Sequence, residues 1–147
     1  MSRSGYVDDF YDGWATIRWR GAVKSALRGK RGQAFLRELA DSMDAMKEKR
    51  LITNNFKADG EFCTLGVIAN RRGVDLQDLL NEDYYGPVVD HERLADRLGV
   101  AAAMAQEIMF MNDEAMLFDE TPEVRWRRMR DWVSRQISQQ ETNNEPE

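Results

Sequence analysis

The sequence holds few of the side chains on which common catalytic and metal-binding sites depend. Cys63 is its one cysteine and His91 its one histidine. The usual zinc sites take several such ligands, so none can be assembled here. A Cys–His nucleophile would require the two residues to meet, which no pattern indicates. We therefore predict that Cys63 is a small buried hydrophobe and that His91 lies at a solvated helix start. No catalytic residue, metal site or cofactor is predicted.

Adjacent acids are the remaining candidates for catalysis. They occur at Glu82-Asp83, Asp113-Glu114 and Asp119-Glu120. Carboxylate clusters can hold Mg²⁺ for phosphoryl chemistry, but no glycine-rich phosphate-binding loop accompanies them. Helix caps and a charged surface account for these acids better, so the sequence predicts a protein that is not an enzyme. An enzyme that uses Asp113 and Glu114 is kept as the least favoured of three functional hypotheses.

Basic side chains interleaved with tryptophans form the candidate binding surface. The tryptophans are Trp14, Trp19, Trp126 and Trp132. Such a mixture can grip phosphates and stack bases, and Arg and Trp also concentrate in protein–protein hot spots. Pairing of the cations with acids, and packing of the indoles in the core, is the simpler alternative and is favoured. The candidate binding residues are Arg18, Arg20, Lys24, Arg28, Lys30, Arg31, Arg125, Arg127, Arg128 and Arg130.

A further motif lies at residues 94–100. Ala95 is followed four residues later by Gly99 and then by a branched apolar residue, which is the spacing of a helix–turn–helix corner. Residues 69–74 repeat this spacing. The helix after Gly99 offers no Arg, Lys, Ser, Thr or Asn before Asn112 to contact bases or phosphates. A tight helix–helix corner in the core is therefore the favoured interpretation.

Charge is distributed unevenly along the 147 residues, whose net charge is -5. Residues 1–52 carry a net +4 and residues 124–147 a net +1, whereas residues 53–123 carry -10. An acidic chain argues against binding nucleic acid through its whole surface, but it leaves room for a local basic face. Two mildly basic ends therefore flank an acidic middle.

The elements that must position these side chains are predominantly helical. An apolar stripe through Trp19, Val23 and Leu27 predicts a helix over residues 13–27, and a second helix is predicted over residues 33–49. Thr64, Asp75, Asp90 and Thr121 are the predicted caps of later segments. Those helical segments are predicted over residues 64–72, 74–80, 92–98, 100–112 and 122–137.

Two segments carry turn signals instead. Asp59-Gly60 favours a minor hairpin near residues 51–63, and Gly86-Pro87 predicts a loop over residues 84–89. The predicted fold class is all-α: a compact bundle of about five to six helices with at most this one minor β-hairpin.

The length corresponds to one domain. We expect an N-terminal arm over residues 1–12 packed by Tyr6, Phe10 and Tyr11, a single helical domain over residues 13–138, and a disordered acidic tail over residues 139–147. No secretory signal and no membrane-spanning stretch is recognised. A single cysteine fits a reducing compartment, so a cytoplasmic location is expected.

Four stretches of this sequence carry a resemblance, at residues 17–23, 28–38, 105–114 and 120–133. They resemble a family of small uncharacterised proteins encoded by bacteriophages and prophages, with no assigned function. The resemblance covers most of the chain except the tail, and residues 51–89 match least. It implies a bacterial host cytoplasm and an accessory role in phage biology, and no catalytic residue can be carried over from it.

Two functions follow as expectations. The first is a phage- or prophage-encoded, non-enzymatic accessory protein that binds a host or phage protein. The alternative is a nucleic-acid-binding accessory protein that uses the basic first helix and the loop over residues 28–31.

Overall fold

The computed structural model describes residues 3–5, 13–83, 86–115 and 119–143, with the side chains of residues 3–5, 18–81, 88–115 and 119–137. Within these ranges the helices are α1 Gly13–Arg28, α2 Lys30–Asp44, α3 Thr64–Arg72, α4 His91–Leu98, α5 Ala102–Asp113 and α6 Pro122–Asn143. The strands are β1 Lys57–Ala58, β2 Glu61–Phe62, β3 Leu80–Asp83 and β4 Gly86–Val89. The predicted all-α class is confirmed.

Helices α1 and α2 are joined by one residue, Gly29. The inner face of α1 buries Val23 and Leu27, as the apolar stripe predicts. The two helices approach so closely that a Cβ at Gly32 would overlap the carbonyl oxygen of Ala26. Glycine at this position therefore allows the pair to pack. Helix α2 begins at Lys30, three residues before the predicted start.

Helix α2 ends at Asp44, short of the Lys49 that we predicted. The Lys49 ammonium donates hydrogen bonds to the carbonyl oxygens of Asp44 (2.8 Å) and Met46 (2.5 Å). A cation at this position satisfies carbonyls that the end of a helix leaves without partners. Lys49 thus closes the helix instead of extending it.

Helix α5 lies at the centre of the bundle. It contacts α1, α3, α4 and α6, and none of its side chains is exposed. Met104, Ala105, Ile108 and Met109 are fully buried in the core. A helix that is apolar on nearly every side is expected in such a central position. Helix α2 completes the bundle by packing against α3 and α6.

The predicted hairpin at residues 51–63 is confirmed, although the paired part is short. Lys57 pairs with Phe62 and Ala58 with Glu61. Asp59 and Gly60 have φ values of 53° and 79°, which is the conformation that a two-residue hairpin turn requires.

A second hairpin occupies a region where the sequence predictions are wrong. Leu80 pairs with Val89 and Asp83 with Gly86, where we predicted a helical turn followed by a loop over residues 84–89. The predicted helical turn is reduced to a 3-10 turn at Gln77–Leu79. Pro87 is typical of a loop, but a two-stranded ribbon has only edges, where proline is tolerated.

The helix ends largely follow their sequence signals. Asp90 accepts a hydrogen bond from the Arg93 amide (3.1 Å), and the Thr121 hydroxyl accepts one from the Val124 amide (3.2 Å). The prediction for Thr64 is wrong, because the residue that caps α3 is Cys63, whose Sγ accepts a hydrogen bond from the Gly66 amide at 3.4 Å.

The repeated Ala-x-x-x-Gly spacing makes the same helix stop twice. Gly73 and Gly99 have left-handed φ values of 72° and 71°. In each case the following valine donates its amide to the alanine carbonyl, Val74 to Ala69 at 2.9 Å and Val100 to Ala95 at 3.1 Å. This six-residue closure is the Schellman motif.

Boundaries at the two ends differ from expectation in one place. Helix α6 continues to Asn143, whereas the tail was predicted to begin at Gln139; residues 144–147 lie outside the described part. The predicted packing of the arm by Tyr6, Phe10 and Tyr11 also lies outside it.

Candidate functional site

The outer face of α1 presents a row of cations. Arg18, Arg20, Lys24 and Arg28 are exposed, whereas Val23 and Leu27 of the same helix are buried. The row continues across Gly29 into the exposed Lys30 and Arg31 at the start of α2. We call this surface the basic face: Arg18, Arg20, Lys24, Arg28, Lys30 and Arg31.

None of the acids whose side chains the structure describes neutralises the basic face. The sequence contains no Asp or Glu between Gly13 and Arg37. None of the six cations forms an ion pair or side-chain hydrogen bond with any residue that the structure describes. The described acids therefore leave the basic face available to an external anion.

The spacing within this face works against the stability of α1. Arg20, Lys24 and Arg28 are four residues apart, which places their Cβ atoms about 5–6 Å from one another on one side of a helix. Like charges in this relation destabilise a helix by about 0.2–0.5 kcal/mol per pair. Only Arg28, in the last turn of α1, is placed where a cation stabilises the end of a helix.

The arginines of α6 behave differently. Arg128 donates to both oxygens of Glu120, with distances of 2.6 and 3.0 Å, and also to the carbonyl oxygen of Met111 at 2.6 Å. Arg125 pairs with the same carboxylate and donates to the carbonyl oxygen of Leu51 at 2.8 Å. The hydrogen bond from Arg128 holds the pKa of Glu120 below its ordinary value, against the opposing effect of burial. These two arginines brace the fold.

Arg130 and Arg127 complete that set. Arg130 makes a bidentate pair with Asp44 of α2, at 2.8 and 2.9 Å. Arg127 is exposed and forms no ion pair with a described residue. The structure thus divides the ten predicted binding residues: the six of the basic face lie exposed along one continuous segment, whereas three of the four on α6 are bound to acids.

The three tryptophans whose side chains the structure describes are not exposed. Trp132 is 6% exposed and belongs to the core. Trp126 and Trp19 are half-buried against the core, and the Lys49 ammonium lies 5.5 Å from the centre of the Trp126 ring. The side chain of Trp14 is outside the described part of the chain. Packing of the indoles, the simpler alternative, therefore accounts for these three.

The helix–turn–helix interpretation has no exposed recognition helix. Helix α5 follows Gly99, and all its side chains are buried or half-buried. A recognition helix has to enter a DNA groove with its side chains exposed. This burial favours a helix–helix corner in the core.

A second cluster, which the sequence did not predict, surrounds Arg3. This side chain has no exposed surface. Its guanidinium donates to both oxygens of Asp113, at 2.6 and 2.9 Å, and to Cys63 Sγ at 3.3 Å. It also lies 5.1 Å from the centre of the Phe56 ring. We call the site formed by Asp113, Cys63 and Phe56 the Arg3 pocket.

Burial alone would lower the pKa of Arg3, since it removes the cation from water. Interactions with Cys63 and Asp113 outweigh burial and raise this pKa above its ordinary value. Arg3 is thus a buried cation whose three guanidinium nitrogens all donate hydrogen bonds, two to Asp113 and one to Cys63.

Polar side chains and an amide that do not contact Arg3 also fix the orientation of Asp113. Asp113 Oδ1 accepts hydrogen bonds from the Asn54 amide (3.1 Å) and the Asn112 side chain (2.8 Å). Asn112 Oδ1 in turn accepts from the hydroxyl of Thr64 at 2.8 Å. Cys63 is buried as predicted, whereas His91 is half-buried and contacts Arg3. No local signal in the sequence could have linked these residues, because Arg3 and Asp113 are 110 positions apart.

The structure contains no group of three or more His, Cys, Asp or Glu placed to hold a metal ion among the residues it describes. Among the same residues no helix has the length and apolar character to cross a bilayer. Comparison with protein-family models, with curated proteins and with solved structures finds no match.

Proposed function

We propose that this chain is a non-enzymatic accessory protein, of phage or prophage origin, that binds nucleic acid through the basic face. One observation carries the proposal: six exposed cations of α1 and α2 have no ion pair among the described residues. Phosphate groups are the ligand that such a row of Lys and Arg fits best.

The chemistry of the basic face favours contact with the phosphate backbone. Its polar side chains are Lys and Arg, and no Asn or Gln among them is available for paired hydrogen bonds to an adenine edge. Contacts to phosphates position a protein without reading sequence. We therefore expect affinity that depends on salt and varies little with base sequence.

The acidic remainder of the protein supports this orientation. The whole chain has a net charge of -5, and residues 53–123 carry most of the negative charge. A polyanion is repelled by that part and attracted to the basic face, so binding is directed to one side of the molecule.

Binding of a host or phage protein is the second candidate function. Val124 is an exposed hydrophobic residue of α6, at 39% exposure, and the exposed Arg127 follows it three positions later. Residues at this spacing share one face of a helix, and Arg is among the residue types enriched in protein–protein interfaces.

The test is binding of a fluorescein-labelled 20-base-pair DNA duplex, measured by fluorescence anisotropy at several salt concentrations. The variant replaces Arg20, Lys24, Arg28 and Arg31 by Gln. The matched control replaces four exposed cations outside the basic face, Lys47, Arg93, Arg127 and Arg135, by Gln and thus has the same net charge.

We expect the variant to raise the Kd by more than tenfold and the control by less than threefold. The slope of log affinity against log salt should fall by about 0.9 for each phosphate that the variant no longer neutralises. Equal weakening in both proteins, or no binding by the unsubstituted chain at 50 mM salt, would contradict the proposal.

A further inference from the structure

We infer that the Arg3 pocket and the side chains beside it form a recognition site for an arginine-containing peptide, and that residues 3–5 of this chain occupy it as an internal ligand. The peptide sequence that it recognises is Arg-Ser-Gly. This inference is independent of the basic face, since it concerns a different part of the molecule.

The Arg3 pocket has the features that select a guanidinium. A bidentate carboxylate, Asp113, takes two parallel N–H groups, and Cys63 Sγ takes a third. The ring of Phe56 receives the cation. A planar fork matches this arrangement, whereas the compact ammonium of a lysine cannot donate in the same geometry.

The pocket is held in place by residues other than its occupant. Asp113 is fixed by Asn54 and Asn112, and the Asn112 side chain also donates to the carbonyl oxygen of Ile52 at 2.9 Å. Cys63 is fixed as the cap of α3. A site whose ligands are oriented in this way loses little entropy when the guanidinium binds.

Further contacts bind the backbone of Arg3 and Ser4 and the side chain of Ser4. The His91 Nε2 contacts the carbonyl oxygen of Arg3 at 2.8 Å, and a carbonyl can only accept, so the histidine donates. Gln106 donates to the carbonyl oxygen of Ser4 at 3.3 Å. The Ser4 hydroxyl donates to Glu114 Oε2 at 2.6 Å.

The third position selects glycine. Gly5 has a φ of 73°, which disfavours any side chain. A Cβ at this position would also overlap the imidazole ring of His91. Each of the three residues is therefore recognised by its own contact: the arginine by its guanidinium, the serine by its hydroxyl, and the glycine by the space it leaves.

The test uses the full-length chain with Arg3→Ala, which empties the pocket. The probes are ethylguanidinium, ethylammonium and a peptide with the sequence of residues 2–6. We expect ethylguanidinium at millimolar concentration to raise the Tm of this variant and ethylammonium to leave it unchanged. We also expect the peptide to bind at least ten times more tightly than forms with Arg→Lys or Gly→Ala, as measured by calorimetry.

Two controls separate pocket binding from other effects. The double variant Arg3→Ala, Asp113→Asn should lose both responses, and the unsubstituted chain should bind the peptide at least ten times more weakly, because its own segment fills the site. Persistence of either response in the double variant would overturn the inference. Equal peptide binding by the unsubstituted chain would do the same.

The test still decides if Arg3→Ala alone does not fold. The same titrations are then followed by circular dichroism, and recovery of the helical signal with ethylguanidinium or the peptide supports the site. A chain that stays unfolded at saturating concentrations of both probes contradicts it, as does a folded variant that responds to neither.

Discussion

The arginines of α1 and those of the interior share one chemistry and have opposite environments. Arg3 has no exposed surface and is bound to Asp113, and Arg128 is bound to Glu120, whereas Arg20 and Arg28 are exposed and form no ion pair with a described residue. The difference is whether a carboxylate of the protein lies within hydrogen-bond distance of the guanidinium. An arginine stabilises this fold where such a partner exists, and it is left for an external anion where none does.

The largest expected effect concerns the most buried pair. Asp113→Asn leaves the buried guanidinium of Arg3 without its counter-charge, and removing one partner of a buried ion pair destabilises proteins by about 3–5 kcal/mol. We expect a loss of this size in urea unfolding. The control Asp96→Asn, at an exposed position of α4, should change the free energy of unfolding by less than about 0.5 kcal/mol. A loss below about 1 kcal/mol for Asp113→Asn would show that the interior arginines are not bracing elements.

An intermediate effect is expected at Glu120, whose side chain is 7% exposed and serves two arginines. We expect Glu120→Gln to reduce the free energy of unfolding by about 2 kcal/mol at pH 7. Asp44→Asn removes a similar bidentate contact, but that carboxylate is 52% exposed, so the loss should stay below about 1 kcal/mol. Equal losses would mean that burial does not set the strength of these pairs.

The stability lost in Glu120→Gln is expected to depend on pH, with a known sign. Arg128 lowers the pKa of Glu120 below its ordinary value of 4.5. A carboxylate with a lowered pKa stabilises the fold above the pKa of the unfolded chain, and this stabilisation is lost as the pH falls through the folded pKa. The difference between the unsubstituted chain and Glu120→Gln should therefore shrink as the pH falls below 4.5. A difference that stays constant down to pH 2 would contradict this assignment.

The smallest effect is expected on the basic face, with the opposite sign. Lys24→Gln removes repulsion with both Arg20 and Arg28. We therefore expect the free energy of unfolding to rise by about 0.5 kcal/mol at low salt and by less at 0.5 M salt. Lys47→Gln, which lies outside the helices, should show no gain. If Lys24→Gln instead destabilises the protein, Lys24 contributes to the stability of the fold, which would contradict a role confined to ligand binding.

Local signals in the sequence predicted much of the fold. The apolar stripe of α1, the caps at Asp90 and Thr121 and the stop at Gly99 depend on residues within one or two turns, and each is found where expected. The second hairpin was missed because Gly86 and Pro87 are also typical of loops. Pairing of β3 with β4 is decided by the strands on both sides of the turn.

The candidate site was also predicted in part, because only some of its contacts lie close together in the sequence. The six residues of the basic face can be recognised in the sequence from the absence of acids between Gly13 and Arg37. The partner of Arg128 lies eight residues away, close enough in the sequence for a local pattern to indicate it. The partner of Arg3 lies 110 residues away, and no property of residues 3–5 indicates it.

That separation has a consequence for the order in which the structure assembles. Closing a loop of about 110 residues has an entropic cost of about 4 kcal/mol, which contacts within the bundle have to repay first. The Arg3 pocket does not exist until Phe56, Cys63 and Asp113 have come together. Docking of residues 3–5 is therefore expected late in folding. Their release is expected as a local opening that leaves the helices folded.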